Sequence, residues 1–199
     1  MRSLPRTVVA GGVLLGFLVM GALQASGCST GRGEGTATGQ VWAPECGLDG
    51  EPFSLDPNFF AMQPSTTVEI IDIRIQRGSD IPNLSNGLSV FIAEPEMVKD
   101  EMLGIEIPLE RFDPAVEMTV YLNSTCPTDI PVVYRSISGT IQFDELFVPW
   151  ISNDNRITTA VFTDVLFVDT DDPENRRAVL SGDFTFLYQR GRPAQNFSF

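Results

Sequence analysis

From residue 71 onward, apolar and polar residues alternate with period two. Ile71, Ile73 and Ile75 fall on one face and Asp72, Arg74 and Gln76 on the other, the pattern of a strand with one buried side. Leu88, Val90 and Ile92 repeat it after an Asn86-Gly87 turn signal. Ile105, Ile107 and Leu109, then Met118, Val120 and Leu122, continue it. Apolar-rich runs follow over 132–148, 156–169 and 177–189, and 38–43 is an eighth candidate strand. Turn residues punctuate the series at Asp80-Ile81-Pro82-Asn83, Asp113-Pro114, Ser152-Asn153-Asp154-Asn155 and Asp171-Asp172-Pro173. The spacing predicts an all-β fold, an antiparallel β-sandwich or closed barrel of about seven to eight strands. Helix is scarce. Asp56 followed by Pro57 predicts a single helical turn over 56–62, stopped by Pro64, whose phenylalanines would plug the core. Two turns are predicted over 94–103, with Val98, Met102 and Leu103 inward.

One internal echo stands out. Ile137-Ser138-Gly139-Thr140-Ile141-Gln142-Phe143 matches Leu180-Ser181-Gly182-Asp183-Phe184-Thr185-Phe186. Glycine inside a strand marks a bulge or the close approach of another backbone. Two equivalent core strands account for the echo better than a ligand contact does, and a solenoid or propeller needs at least three units.

The first residues read differently. Met1 to Arg6 carries Arg2 and Arg6 and no acid, and Val8 to Leu23 is nearly continuous apolar residues. A basic start, an apolar run and then small residues make an export signal. Leu23-Gln24-Ala25-Ser26-Gly27-Cys28 resembles a bacterial lipobox. That resemblance implies cleavage after Gly27 and lipidation of Cys28, with Ala25, Ser26 and Gly27 as the recognition residues; leucine is commoner than Ala25 at its position. The other readings are a cleaved secretory signal with Cys28 as an ordinary thiol, and an uncleaved anchor. The expected division is signal peptide 1–27, a flexible Gly-rich tether over 28–40 and a β-rich domain over 41–199. Ser29 after the cysteine, where aspartate is absent, resembles outer-membrane sorting in enteric lipoproteins.

Composition narrows the chemistry. The chain has 199 residues, 26 Asp and Glu, 13 Lys and Arg, and no histidine. Without histidine there is no Ser-His-Asp or Cys-His nucleophile and no imidazole metal ligand. A net charge of −13, which becomes −15 without Arg2 and Arg6, argues against nucleic-acid binding and against electrostatic docking on anionic lipid. With Cys28 acylated, Cys46 and Cys126 remain, an even number in an exported chain, and a disulfide between them is expected. Neither lies in a C-x-x-C pair.

Carboxylates are the abundant reactive groups. A glycoside hydrolase needs two across a cleft, one with a raised pKa. Asp144 and Glu145 are adjacent and point to opposite faces of a strand, so they cannot form that pair. Asp169, Asp171, Asp172 and Glu174 form the densest oxygen cluster, a weak Ca²⁺ candidate, with a solvated hairpin loop as the plainer reading. No other cofactor is expected. Asn83-Leu84-Ser85, Asn123-Ser124-Thr125 and Asn196-Phe197-Ser198 match the N-glycosylation pattern without implying it here. Arg190 and Arg192, with Arg176 and Arg177, either grip an acidic partner or a polysaccharide carboxylate, or neutralise nearby Asp and Glu. The ending Phe197-Ser198-Phe199 resembles the closing strand of an outer-membrane barrel, although the strands lack aromatic girdles.

Beyond the lipobox, Leu55-x-Pro57-x-Phe59-Phe60-Ala61, Ile73-Arg74-Ile75-Gln76-Arg77-Gly78-Ser79-Asp80 and Phe184-x-Phe186-x-x-Gln189-Arg190-Gly191-Arg192-Pro193-Ala194-Gln195 resemble predicted lipoproteins of myxobacteria and their relatives. The resemblance implies location and a common β fold, and no activity. The sequence therefore points to a lipid-anchored, non-catalytic envelope protein, in the outer membrane rather than the inner, with an envelope protein or glycan as partner. The alternatives are a carboxylate-dependent enzyme such as a glycoside hydrolase, or a small outer-membrane β-barrel.

Overall fold

The computed structural model describes residues 29–78, 85–110, 115–127, 131–151 and 155–189. Among them ten strands run in the order β1 (Ser29–Ala43), β2 (Leu48–Leu55), β3 (Phe59–Ser65), β4 (Ile70–Gly78), β5 (Ser85–Ile92), β6 (Glu106–Pro108), β7 (Val116–Leu122), β8 (Val133–Glu145), β9 (Ile157–Val168) and β10 (Arg177–Leu187). A 3-10 turn (Pro44–Cys46) follows β1, and a helix, α1 (Pro95–Glu101), lies between β5 and β6. All pairings are antiparallel and belong to one sheet, ordered β10-β9-β8-β7-β5-β4-β3-β1-β2, with β6 on β8 and β10 returning to β1. The sheet is thus curled upon itself like a barrel, and among the described residues no second sheet packs against it.

Alternation built this architecture as expected. Ile71, Ile73 and Ile75, then Leu88, Val90 and Ile92, then Val116, Met118, Val120 and Leu122 all point into one core. They meet Phe143 of β8, Phe162 and Phe167 of β9, and Phe184 and Phe186 of β10 there. Burying each such side chain is worth about 1.5–3 kcal/mol relative to leaving it in water.

The two echoed glycines flank β9, one in β8 and one in β10. Gly139 has φ +102°, and a Cβ there would lie 2.6 Å from the Cα of Val165 and 2.8 Å from the carbonyl oxygen of Asp164. The β8–β9 register shifts around it. A Cβ at Gly182 would strike the Thr36 carbonyl oxygen and come within 2.7 Å of the Phe162 ring. Both therefore serve close backbone approach, as the echo suggested.

Four expectations need correction. Most of the segment read as a tether is ordered. Ser29 to Gly31 pair with β3, and Arg32 to Trp42 pair with β10. Its glycines are small for packing, since a Cβ at Gly33 would sit 2.6 Å from Phe186 Cβ and one at Gly35 2.5 Å from the Asp183 carbonyl oxygen. The helical turn expected over 56–62 is replaced by β3, which buries Phe60, Ala61 and Met62 and pairs with β4 over its whole length. Pairing with β1 and β4 satisfies more backbone groups than one capped turn could. α1 is the helix expected near 94–103 and buries Val98, but Leu103 lies exposed beyond its end. The strand expected from Ile105 to Leu109 shrinks to β6, with Ile107 and Leu109 buried and Ile105 in solvent.

The two ends of the curled sheet differ. At one, the start of β1 meets the end of β10, which meets the start of β9. The β3–β4 turn, α1 and the β8–β9 connection close the same end. Lys99 Nζ donates to the Leu146 carbonyl oxygen at 3.0 Å, and Trp150 Nε1 donates to Glu96 Oε1 at 2.8 Å. The other end carries the 3-10 turn, the β7–β8 and β9–β10 connections, and a disulfide between Cys46 and Cys126, Cα atoms 5.4 Å apart. That pairing is the one expected.

Candidate functional site

The outward face of β4, β5, β7 and β8 holds a cluster of polar side chains. Strand register sets Asp72, Phe91 and Glu117 in one row and Arg74, Ser89, Thr119 and Arg135 in the next. Gln76, Gly87, Tyr121 and Val133 form a third. The period of two that sends the isoleucines inward sends these side chains outward. Between them lies a pocket of about 280 Å³ lined by Asp72, Ser89, Phe91, Glu117, Thr119, Val133 and Arg135.

Ser89 Oγ donates to Asp72 Oδ1 at 2.6 Å, and Arg135 Nη1 lies 3.5 Å from Glu117 Oε1. Beneath this row Arg74 is buried, its guanidinium 5.0 Å over the Phe59 ring. Tyr121 Oη donates to Gln76 Oε1 at 2.8 Å. Burial raises the Asp72 pKa above the usual carboxylate value; the Ser89 hydrogen bond and the Arg74 charge pull it partly back. Tyr121 is also raised, chiefly by burial. The pocket combines one half-sequestered carboxylate, one carboxylate drawn to an arginine, two hydroxyls and an exposed aromatic. Such a lining offers hydrogen-bonding groups beside an apolar surface.

The carboxylates weighed in the sequence lie elsewhere. Asp144 is exposed and accepts from Gln142 Nε2 at 2.9 Å, and it does not join Glu145 in a cleft. The acidic β9–β10 loop turns its oxygens to its own chain. Asp169 Oδ1 accepts from the Asp171 backbone N–H at 2.8 Å, and Asp172 Oδ1 accepts from Asn175 Nδ2 at 2.9 Å. Asp169 Oδ2 meets Arg176 Nη1 at 3.2 Å, and the Glu174 carbonyl oxygen accepts from Arg177 Nη1 at 2.7 Å. Among the described residues no three His, Cys, Asp or Glu side chains gather to hold a metal ion, so Asp169, Asp171, Asp172 and Glu174 are not brought together as ligands.

Arg176 also pairs with Glu45 Oε2 at 3.3 Å, which ties the loop to the disulfide end. The Asp169 hydrogen bond and then the Glu45 charge strengthen its hold on its proton. Arg177 stacks over Trp42 at 4.7 Å, and Tyr134 Oη donates to the Trp42 carbonyl oxygen at 3.1 Å. Burial, then the Glu45 charge, raise the Tyr134 pKa. Arg176 thus neutralises neighbouring carboxylates. Arg190 and Arg192 lie outside the described residues, as do Gly27 and Cys28. Asn123 is buried and its Oδ1 accepts from the Val132 N–H at 3.0 Å, so that glycosylation motif serves the fold.

Sequence reasoning missed the outward pocket. Asp72 and Glu117 lie on strands separated by β5, and nothing local marks them as neighbours. One signal was present: Phe91 sits on the polar face of the Leu88, Val90, Ile92 alternation. Among the described residues no helix is long and apolar enough to cross a membrane. No protein-family model matches the chain, and neither a curated protein nor a solved structure is similar to it.

Proposed function

We propose that the protein is an envelope lipoprotein, cleaved after Gly27 and acylated at Cys28, whose curled β body binds an envelope protein or glycan and carries no catalysis. The observation that carries this reading is the Cys46–Cys126 disulfide. A disulfide belongs to an oxidising compartment, and it consumes two of three cysteines, leaving Cys28 as the odd one after an apolar run. The distribution of side chains supports the same reading over an outer-membrane barrel. Such a barrel is apolar outside and polar within, whereas this sheet encloses phenylalanines and isoleucines and turns Asp72, Glu117, Arg135 and Asp183 outward. The outward pocket beside Phe91 is the binding surface of this proposal.

The test is metabolic labelling with a palmitate analogue, followed by membrane fractionation. Wild type takes up label, runs at mature size and sediments with the outer membrane. Cys28→Ala takes up none and keeps its signal. A Cys28→Ala chain that is still labelled and still shortened overturns the anchor.

A further inference from the structure

The start of β1 fixes the end of the body at which residue 28 joins it. Ser29, Thr30 and Gly31 are already paired with Met62, Ala61 and Phe60. Residue 28 is therefore covalently next to the sheet, with no tether between. Whatever holds the chain in the bilayer, acyl groups on Cys28 or the apolar run from Val8 to Leu23, enters the body at the end that carries α1.

Among the described residues, that end also exposes apolar surface. Val68 in the β3–β4 turn, Leu103 and Ile105 after α1, and Ile151 in the β8–β9 connection are 40–61% exposed. Leu187 ends β10 at the same rim, whereas Phe91 belongs to the outward pocket and Val161 lies within β9. Among the described residues, none of the exposed large hydrophobic side chains lies on the connections at the disulfide end. Scattered apolar residues need no explanation, but a collection at one rim marks an interaction surface. The rim also bears Glu94, Glu96, Asp100 and Glu101 around an open cleft of about 450 Å³. A surface of that charge suits uncharged or zwitterionic headgroups and is repelled by anionic ones.

We infer that the body stands end-on against a zwitterionic lipid surface, its α1 rim touching the headgroups and its disulfide end turned away. The inference rests on the membrane anchor proposed above and adds an orientation to it. β1 has fifteen residues. At about 3.3 Å per residue and a tilt of about 40°, it carries the chain on the order of 35 Å from the bilayer. The two tryptophans then report height, because Trp150 lies at the α1 end and Trp42 at the disulfide end.

The acylated full-length protein is incorporated into phosphatidylcholine vesicles that carry a dansyl group on a fraction of the headgroups. Energy transfer to dansyl is read from Trp42→Phe, which keeps Trp150, and from Trp150→Phe, which keeps Trp42. Transfer should be severalfold more efficient from Trp150. Hydrogen exchange on the unmutated protein gives a second measure. Amides over 103–106 should slow on vesicles relative to detergent, while those over 170–175 stay unchanged. Protein that floats with the vesicles but shows equal transfer from both tryptophans, or slowed exchange at the disulfide end, overturns the orientation and leaves the anchor standing. Protein that does not float overturns the anchor, and the orientation with it.

Discussion

Replacing Cys46 and Cys126 together with alanine removes a cross-link that spans 80 residues. In the chain-entropy account, closing a loop of that length costs the unfolded ensemble about 4.5 kcal/mol that the folded state need not recover. The loop contains β2 to β7, so most of one half of the sheet is constrained by a single bond. Domains of this kind carry roughly 5–15 kcal/mol in total, so the loss is a large share. At about 2–4 °C per kcal/mol for a domain of this size, the unfolding midpoint should fall by about 9–18 °C. Cys126 is fully buried and Cys46 packs partly against the core, so alanine is the substitution that adds no buried hydroxyl. Thermal unfolding reads the midpoint and urea unfolding the free energy, both followed by tryptophan emission. Trp42 lies near the cross-link and Trp150 at the opposite end. Single-tryptophan versions should unfold at one midpoint if the molecule remains two-state. The reduced, unmutated protein should match the alanine pair to within about 1 kcal/mol, the scale of a typical single substitution. A loss below about 1 kcal/mol would refute the loop-entropy reasoning, given its expected size. Earlier unfolding at Trp42 alone would show that the bond secures only its own end.

Gly139→Ala should cost about 3 kcal/mol or more, because both the positive φ and the approach of Val165 oppose a Cβ. Gly47→Ala, at φ +72° with nothing within 4 Å, should cost only about 1 kcal/mol; equal urea midpoints would contradict the close-approach account. Asp72 has a pKa raised above its unfolded value of 3.8, so its contribution is full below that value and declines as pH rises through the native pKa. Asp72→Asn keeps an acceptor for Ser89 and should be more stable than wild type at neutral pH, an advantage that vanishes below pH 3.8. A variant less stable at neutral pH would mean that attraction to Arg74 outweighs burial.

Several of these features are legible in the amino-acid order alone. The isoleucines of β4 and the alternating apolar residues of β5 and β7 announce both strand and inward face, because period two is a local property of an extended backbone. The Gly139 and Gly182 echo announces close approach for the same reason. The cysteine count announces the disulfide, since only two thiols remain to pair once Cys28 is set aside. Local chemistry misleads at 56–62, where an Asp-Pro start suits a helix cap but the competition from two neighbouring strands is not written nearby.

The sequence by itself determined the inside and outside of β4, β5 and β7, through sterics acting within a few positions. The tertiary structure alone decided which strands lie side by side, because that choice balances loop entropy against pairings far apart in the chain. It turned Gly33 and Gly35 from tether residues into packing residues, and it brought Asp72, Phe91 and Glu117 into one row. Composition cannot separate a glycine that bends from one that lets β10 approach. Only the neighbour makes that difference.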